Sequence, residues 1–382
     1  MPVPMVLGAT RSQGCQGSLA PGRPAAGLAV SLLAAAIVGD VRLGAGVGGL
    51  PLSLCFVASC GASALAGLGI ERLLRRQLVG QVIRASGPAS HLTKAGTPTF
   101  GGLAIVPVGL TLGSIMGWIV GPDVGLGLPV ALVTLAHMCI GLCDDWLTLT
   151  RRVSRGLPAL TKLTLQVVAA GLFCASLALG RRVPTGLPIA AWPGLSVQLG
   201  RAYWPAAGFV VVAESNGANL ADGLDGLAAG ASAAAFMSFA LILRIATPSL
   251  ACLAAAMAGS CIGFLALNCY PARLFMGDTG SLALGACLGG LAVTTMCLAP
   301  LALATTVFVV EAASVVLQVC HFKLTKFLHG EGKRLFKMAP LHHHFELSGH
   351  HETVIVAWVY AAALASGLCA LALAVACGLP LR

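Results

Sequence analysis

Five of the seven aspartates in this chain fall in three short clusters: Asp144 with Asp145, Asp222 with Asp225, and Asp278 alone. Each cluster stands at the end of a long apolar run. An ionised carboxylate at the centre of a membrane span costs roughly 2.5–3.5 kcal/mol, so acids in such runs usually mark function. Read singly, any one cluster is equally well a solvated helix end. Three of them beside basic residues suit a hard divalent cation and phosphate groups. Mg2+ takes one or two carboxylates and completes its shell with water and phosphate oxygens. Asp144 and Asp145 are neighbours, so on a helix they point about 100° apart and serve different tasks.

Asn216, Asn219, Asp222 and Asp225 recur at every third residue. Steps of three drift by about 60° on a helix, so Gly217, Gly223 and Gly226 are expected to bend the backbone and gather the four side chains. Phe275-Met-Gly-Asp278-Thr-Gly-Ser281 places an aspartate in a glycine-flanked turn, where Thr279 or Ser281 is expected to cap the helix that follows. Phe275 is either packing or a platform for a planar base. His342, His343 and His344 sit in a long basic loop. Three consecutive histidines cannot all face one ligand on a helix, so phosphate contacts suit them better than zinc, a structural role being the other reading. Glu214 precedes the Asn/Asp segment without a role that the sequence explains.

The elements that must position these groups are membrane helices. Of 382 residues, 57% are hydrophobic and 9% charged, against about 25% charged in soluble proteins. Apolar runs are read over 24–39, 46–70, 98–120, 126–146, 159–180, 203–221, 226–246, 249–270, 279–298, 299–321 and 353–379. The fold class is therefore all-α: a polytopic membrane protein with about ten core transmembrane helices plus an N-terminal apolar segment. Residues 1–45 are read as a tail with that uncertain segment (a signal-like region, an extra helix, a surface segment or a transit peptide), and 46–382 as a single polytopic domain. The 14 cysteines lie mostly inside apolar runs and form no C-x-x-C pair, which favours helix packing over metal or disulfides.

The net charge of +10 is concentrated in loops. Arg72, Arg75, Arg76, Arg84 and Lys94 lie in 71–97; Arg151, Arg152, Arg155 and Lys162 in 144–162; Lys323, Lys326, Lys333, Arg334 and Lys337 in 321–352; Arg273 stands in a fourth loop. Alternate loops share a side, and the positive-inside rule makes that side cytoplasmic. An anionic substrate or lipid headgroup fits this face better than nucleic acid.

From about residue 71 to 360 the chain resembles the bacterial phospho-N-acetylmuramoyl-pentapeptide transferases, within the polyprenyl-phosphate sugar-1-phosphate transferase superfamily. The resemblance rests on Ser90 through Gly102, Gly141-Leu-Cys-Asp144-Asp145, Asn216 through Gly226, Asn268 through Ser281, and Lys337 through Glu346. It implies a donor, UDP-N-acetylmuramoyl-pentapeptide, an acceptor, undecaprenyl phosphate, and the products lipid I and UMP, in the first membrane step of peptidoglycan synthesis at the inner membrane. It also implies Mg2+ at Asp278 and Asn219, and an acceptor phosphate handled by Asp144 with Asp145 in support. Asp222, Asp225 and Phe275 then surround the uridine, while Asn216, Lys94, Thr97, Lys162 and the three histidines line the cleft. The lipid bilayer is the remaining partner, and the resemblance is compatible with a homodimer. Phe100 stands where many relatives carry methionine, and Leu328–Lys333 reads as added loop length. The competing readings are a related HexNAc-1-phosphate transferase and an ion-coupled transporter. The histidines argue against the first. The absence of a legible repeat, with all acids facing one side, argues against the second.

Overall fold

Long apolar runs punctuated by glycine, proline and charge fold here into helices. The computed structural model describes residues 19–42, 50–76, 96–121, 124–151, 156–180, 183–188 and 196–377. In chain order the helices are α1 (Arg23–Arg42), α2 (Leu52–Arg76), α3 (Gly102–Val120), α4 (Val124–Arg151), α5 (Ala159–Leu179), α6 (Tyr203–Leu220), α7 (Leu227–Leu243) and α8 (Pro248–Asn268). They continue with α9 (Asp278–Thr295), α10 (Leu298–Ala304), α11 (Thr306–His329), α12 (Leu341–Glu346) and α13 (Glu352–Ala376). Among the described residues the one sheet is a ribbon between α5 and α6, β1 (Gly186–Pro188) antiparallel to β2 (Ser196–Gln198). The protein is all-α and polytopic. Eight helices (α1 to α5, α8, α11 and α13) are each long and apolar enough to cross a membrane. α6, α7 and α9, of 18, 17 and 18 residues, complete the bundle.

Burial sorts the helices. α8 is 94% buried along its most apolar stretch, and α7 and α9 are enclosed almost throughout. α1, α2, α5 and α11 are only 22–28% buried along theirs and turn residues such as Leu160, Leu172, Leu179, Val316 and Leu317 outward. Lipid tails solvate such faces, so association depends on close packing of small residues instead. Gly109, Gly113 and Gly117 of α3 lie against α8, Gly259 and Gly263 of α8 against the backbone of α2, and Gly285 of α9 against Glu214 in α6. A side chain at Gly259, Gly263 or Gly285 would collide with backbone, which cannot give way.

Direction follows from the contacts. Tyr203, at the start of α6, donates to the Val293 carbonyl near the end of α9 at 2.8 Å, whereas Asn219, near the end of α6, reaches Asp278 at the start of α9. α4 also runs antiparallel to α9, with Val130 and Val133 beside Gly290 and Asp145 beside Thr279. Asp145, Asn219 and Asp278 therefore converge at one end of the bundle.

Residues 23–42 of the uncertain N-terminal segment form a helix built into the bundle. Asp40 accepts hydrogen bonds from Leu52 N–H (2.8 Å), Ser53 N–H (3.0 Å) and the Ser53 hydroxyl (2.7 Å), capping α2. The same carboxylate pairs with the buried Arg244 guanidinium at 2.9 Å.

The expected span over 299–321 is corrected. The chain there is a short α10, a break at Thr305, and α11 reaching His329. The Thr305 hydroxyl contacts Glu214 Oε1 at 2.9 Å and the Leu301 carbonyl at 2.8 Å, which marks the break. Gly330, at φ +76°, ends α11 in the left-handed conformation glycine tolerates. Leu328 and His329 are thus helical, not loop.

Candidate active site

α9 opens at Asp278 behind Gly277, which has no side chain to cap it. The cap comes from another helix. Asp145 of α4 accepts the Asp278 N–H at 3.1 Å, the Thr279 N–H at 2.9 Å and the Thr279 hydroxyl at 2.6 Å. A carboxylate here satisfies the unpaired amides and meets the positive end of the helix dipole. Gly141, one turn earlier on α4, lies directly on the Asp278–Thr279 backbone and permits this approach. The expected capping by Thr279 or Ser281 is therefore corrected: Thr279 donates to Asp145, and Ser281 donates to the Gly277 carbonyl at 3.1 Å.

With Asp145 beneath it, the Asp278 carboxylate is held from both sides. Asn219 Nδ2 donates to Oδ1 at 2.7 Å and to the Ser281 hydroxyl at 2.9 Å, and the Lys162 ammonium of α5 pairs with Oδ2. Lys162 also stands 4.0 Å from Asp144 Oδ1, and that carboxylate accepts the Leu157 N–H at 2.9 Å. A cation thus lies between two carboxylates that come from separate sequence motifs.

The Asn/Asp segment divides in two. α6 continues through Gly217 to Leu220, so Asn216 and Asn219 are helical and Gly217 packs on Phe308 instead of bending the chain. The turn comes later, at 221–226, where Gly226 has φ +84°. Asn216 points sideways, donating to Gln166 Oε1 and the Val212 carbonyl at 2.8 Å each. Asp225 is buried and accepts the Ala272 N–H at 2.9 Å, which fixes the loop leading to Phe275. Phe275 is in turn held by the segment at Thr97: its N–H donates to the Pro98 carbonyl at 2.9 Å and its carbonyl accepts from Gly101 N–H at 2.8 Å.

The three histidines of α12 have separate partners. His342 is buried, with Nδ1 3.3 Å from Glu311 Oε1 and its ring against Gly223. His343 Nδ1 lies 3.3 Å from Glu346 Oε2, and His344 Nδ1 accepts the Lys337 N–H at 3.1 Å. His342 thereby joins α12 to the turn carrying Asp222. Lys94 lies outside the described residues. Sequence reading passed over Glu311 and Glu352, the latter accepting the Asp225 N–H. Both are rare acids at or within apolar spans, the same signal that exposed the aspartates.

Residues 128–296 match the model of Glycosyl transferase family 4, a stretch that carries every acid of the Asp278 cluster but not the histidines. A phospho-N-acetylmuramoyl-pentapeptide-transferase of Nostoc sp. (strain PCC 7120 / SAG 25.82 / UTEX 2576) is 44% identical over 329 residues, 86% of each chain. Relatives of the same name from Synechococcus sp. are 46% identical in strain RCC307, covering 86% of this chain and 90% of the relative, and 48% in strain CC9605, covering 82% and 90%. The chain belongs to the phospho-N-acetylmuramoyl-pentapeptide-transferase family.

Burial, and after it the excess of acids over bases at the site, raises one carboxyl's hold on its proton. Asp222 lies in the turn after α6, where burial first, then the charges of Asp278, Asp145 and Asp225, push its carboxyl up to about 8. The folded state therefore holds this proton more tightly than the unfolded chain, whose aspartate titrates near 3.8. Stability from this group is greatest at low pH and is lost as pH rises from about 4 through about 8. The unfolding midpoint in detergent is expected to fall over about pH 5–8, and Asp222→Asn to flatten that fall. Equal slopes in the two proteins would show that Asp222 titrates normally.

Proposed function

We propose that this chain transfers phospho-N-acetylmuramoyl-pentapeptide from UDP-MurNAc-pentapeptide to undecaprenyl phosphate, giving lipid I and UMP at the cytoplasmic face of a bacterial inner membrane. The observation that carries the reading is the Asp278 carboxylate gripped by Asn219 and Lys162 beside Asp144, in a chain related along most of its length to transferases of that name.

The site's chemistry fits Mg2+. Among the described residues no three His, Cys, Asp or Glu side chains form a ready-made cage, and Mg2+ bound with substrate phosphates needs none. Lys162 between Asp144 and Asp278 marks the spot as one that attracts positive charge. Asp278 and Asn219 would hold the ion, which when bound neutralises charge on the donor diphosphate. Lys162 steadies a phosphate oxygen. Asp144 accepts a proton from, or orients, the acceptor phosphate, whose oxygen attacks the sugar-linked phosphorus. The bond from that phosphorus to the bridging oxygen breaks, and UMP carries the electron pair away. Phe275, Asp222 and Asp225 serve the uridine side, with His342 buttressing their turn.

UMP release by purified protein given UDP-MurNAc-pentapeptide is expected to require both undecaprenyl phosphate and Mg2+, and to stop with chelator. Release with UDP-GlcNAc instead would identify the related HexNAc-1-phosphate reaction. No release from a folded sample with either donor would overturn the transferase reading.

A further inference from the structure

The loop from Cys269 to Gly277 carries Phe275 and ends at Asp278, yet it has no helix or strand of its own. Its neutral ties are Arg273 N–H (2.7 Å) and Leu274 N–H (3.2 Å) to the Leu267 carbonyl, Asn268 Nδ2 to the Leu274 carbonyl (3.0 Å), Phe275 N–H to the Pro98 carbonyl (2.9 Å), and Gly101 N–H and Gly102 N–H to the carbonyls of Phe275 (2.8 Å) and Met276 (3.0 Å). One ionic tie reaches it from far away in sequence. Glu71, in the last turns of α2, accepts from Arg273 Nε at 3.0 Å and from Arg273 Nη2 at 2.6 Å. The same carboxylate accepts from Arg75 Nε at 3.0 Å. The Glu71 side chain is 4% exposed, while those of Arg273 and Arg75 are 54% and 57% exposed.

This arrangement is built around the acid. A buried carboxylate must be paired, and two guanidinium groups satisfy it. The paired fork on Arg273 fixes direction as well as distance, which a lysine could not do. Among the described residues it is the only ion pair that anchors the 269–277 loop to another helix.

We infer that Glu71 is a positioning residue of the site, setting through Arg273 the loop that presents Phe275 and Asp278. The inference rests on the proposed reaction for its effect on turnover, but its effect on the loop does not. Without the fork the loop keeps its neutral ties, Asp225 and the buried Leu274 and Met276, while Asp278 stays held by Asp145, Asn219 and Lys162, so the spacing of Phe275 from Asp278 is no longer fixed from the Arg273 side. Stability alone would not reproduce this, because the change is local to the loop and is shared by the two partners.

The test is hydrogen exchange by mass spectrometry on the full-length protein in detergent, alongside kcat/KM for UMP release normalised to folded enzyme. In Glu71→Gln the amides of 269–277 are expected to exchange at least tenfold faster, with those of α8 and α9 unchanged, and kcat/KM to fall about tenfold. Arg273→Ala, at an exposed side chain, is expected to do the same even if Glu71→Gln folds poorly. The double variant should lose no more than either single one, as members of one interaction do. Unchanged loop exchange in Arg273→Ala overturns the inference, and so does faster exchange with wild-type kcat/KM. If the parent protein releases no UMP, the reaction has failed, and the exchange result alone decides the clamp.

Discussion

Asp278→Asn is expected to lower UMP release by at least about a thousandfold while the protein still folds in detergent. A thousandfold corresponds to about 4 kcal/mol of barrier, the scale of charge stabilisation a bound divalent cation supplies. The substitution preserves shape, and an amide oxygen still accepts from Asn219 Nδ2, now 2.7 Å from Oδ1. Its N–H remains tied to Asp145 at 3.1 Å, so the start of α9 is not disturbed. What disappears is the negative charge that pairs with Lys162 and would hold Mg2+. Raising Mg2+ or substituting Mn2+ should not restore the rate. Turnover within tenfold of wild type would remove Asp278 from the chemistry.

Most of this framework was legible because its signals are local. Apolar runs gave the helices, and the basic loops gave a common end, where the structure does gather Lys162, Arg273 and α12. Acids in apolar surroundings stand out by cost alone, so Asp144, Asp145, Asp222, Asp225 and Asp278 were visible without any partner being known. The three consecutive histidines were expected not to share one ligand; their Nδ1 atoms face Glu311, Glu346 and the Lys337 N–H in turn, although the rings of His342 and His343 pack edge to face at 4.1 Å.

What the sequence withheld were partnerships across the fold. Nothing near Asp145 says that it caps a helix 133 residues away, and Thr279 looked like a sufficient local cap. Gly217 reads as a hinge because glycine tolerates bending, but its lack of a side chain is used for contact with Phe308 instead. The length of α11 was misjudged because Lys323, Lys326 and His329 end an apolar run without ending a helix. Glu214, unexplained by sequence, proves to face the α10–α11 break through Thr305. The four-residue glycine spacings of α3 and α8 were passed over in the sequence, and the structure shows them at the α3–α8 and α2–α8 contacts.

Asp144 and Asp145 make the sharpest separation of chemistry from framework, since one peptide bond joins them and their surroundings differ. Asp145 is buried with three donors on its carboxylate. Asp145→Ala leaves two amides at the start of α9 and the Thr279 hydroxyl without their acceptor. Hydrogen bonds to a charged group contribute about 1.5–3 kcal/mol each and are not additive. A net loss of about 2–4 kcal/mol is expected, with turnover falling because the backbone of Asp278 shifts. Asp144 is half-buried, accepts one backbone N–H and stands 4.0 Å from Lys162. Asp144→Asn keeps an acceptor for Leu157, so the unfolding midpoint should move little. Yet UMP release should fall at least about a hundredfold, the effect of removing a positioned proton acceptor. The pair is read by measuring unfolding midpoint and turnover on both variants. A stable, slow Asp144→Asn beside an unstable Asp145→Ala fits the two roles. An Asp145→Ala protein as stable as wild type would refute the cap, and an Asp144→Asn enzyme at full speed would leave the acceptor phosphate to Lys162 alone.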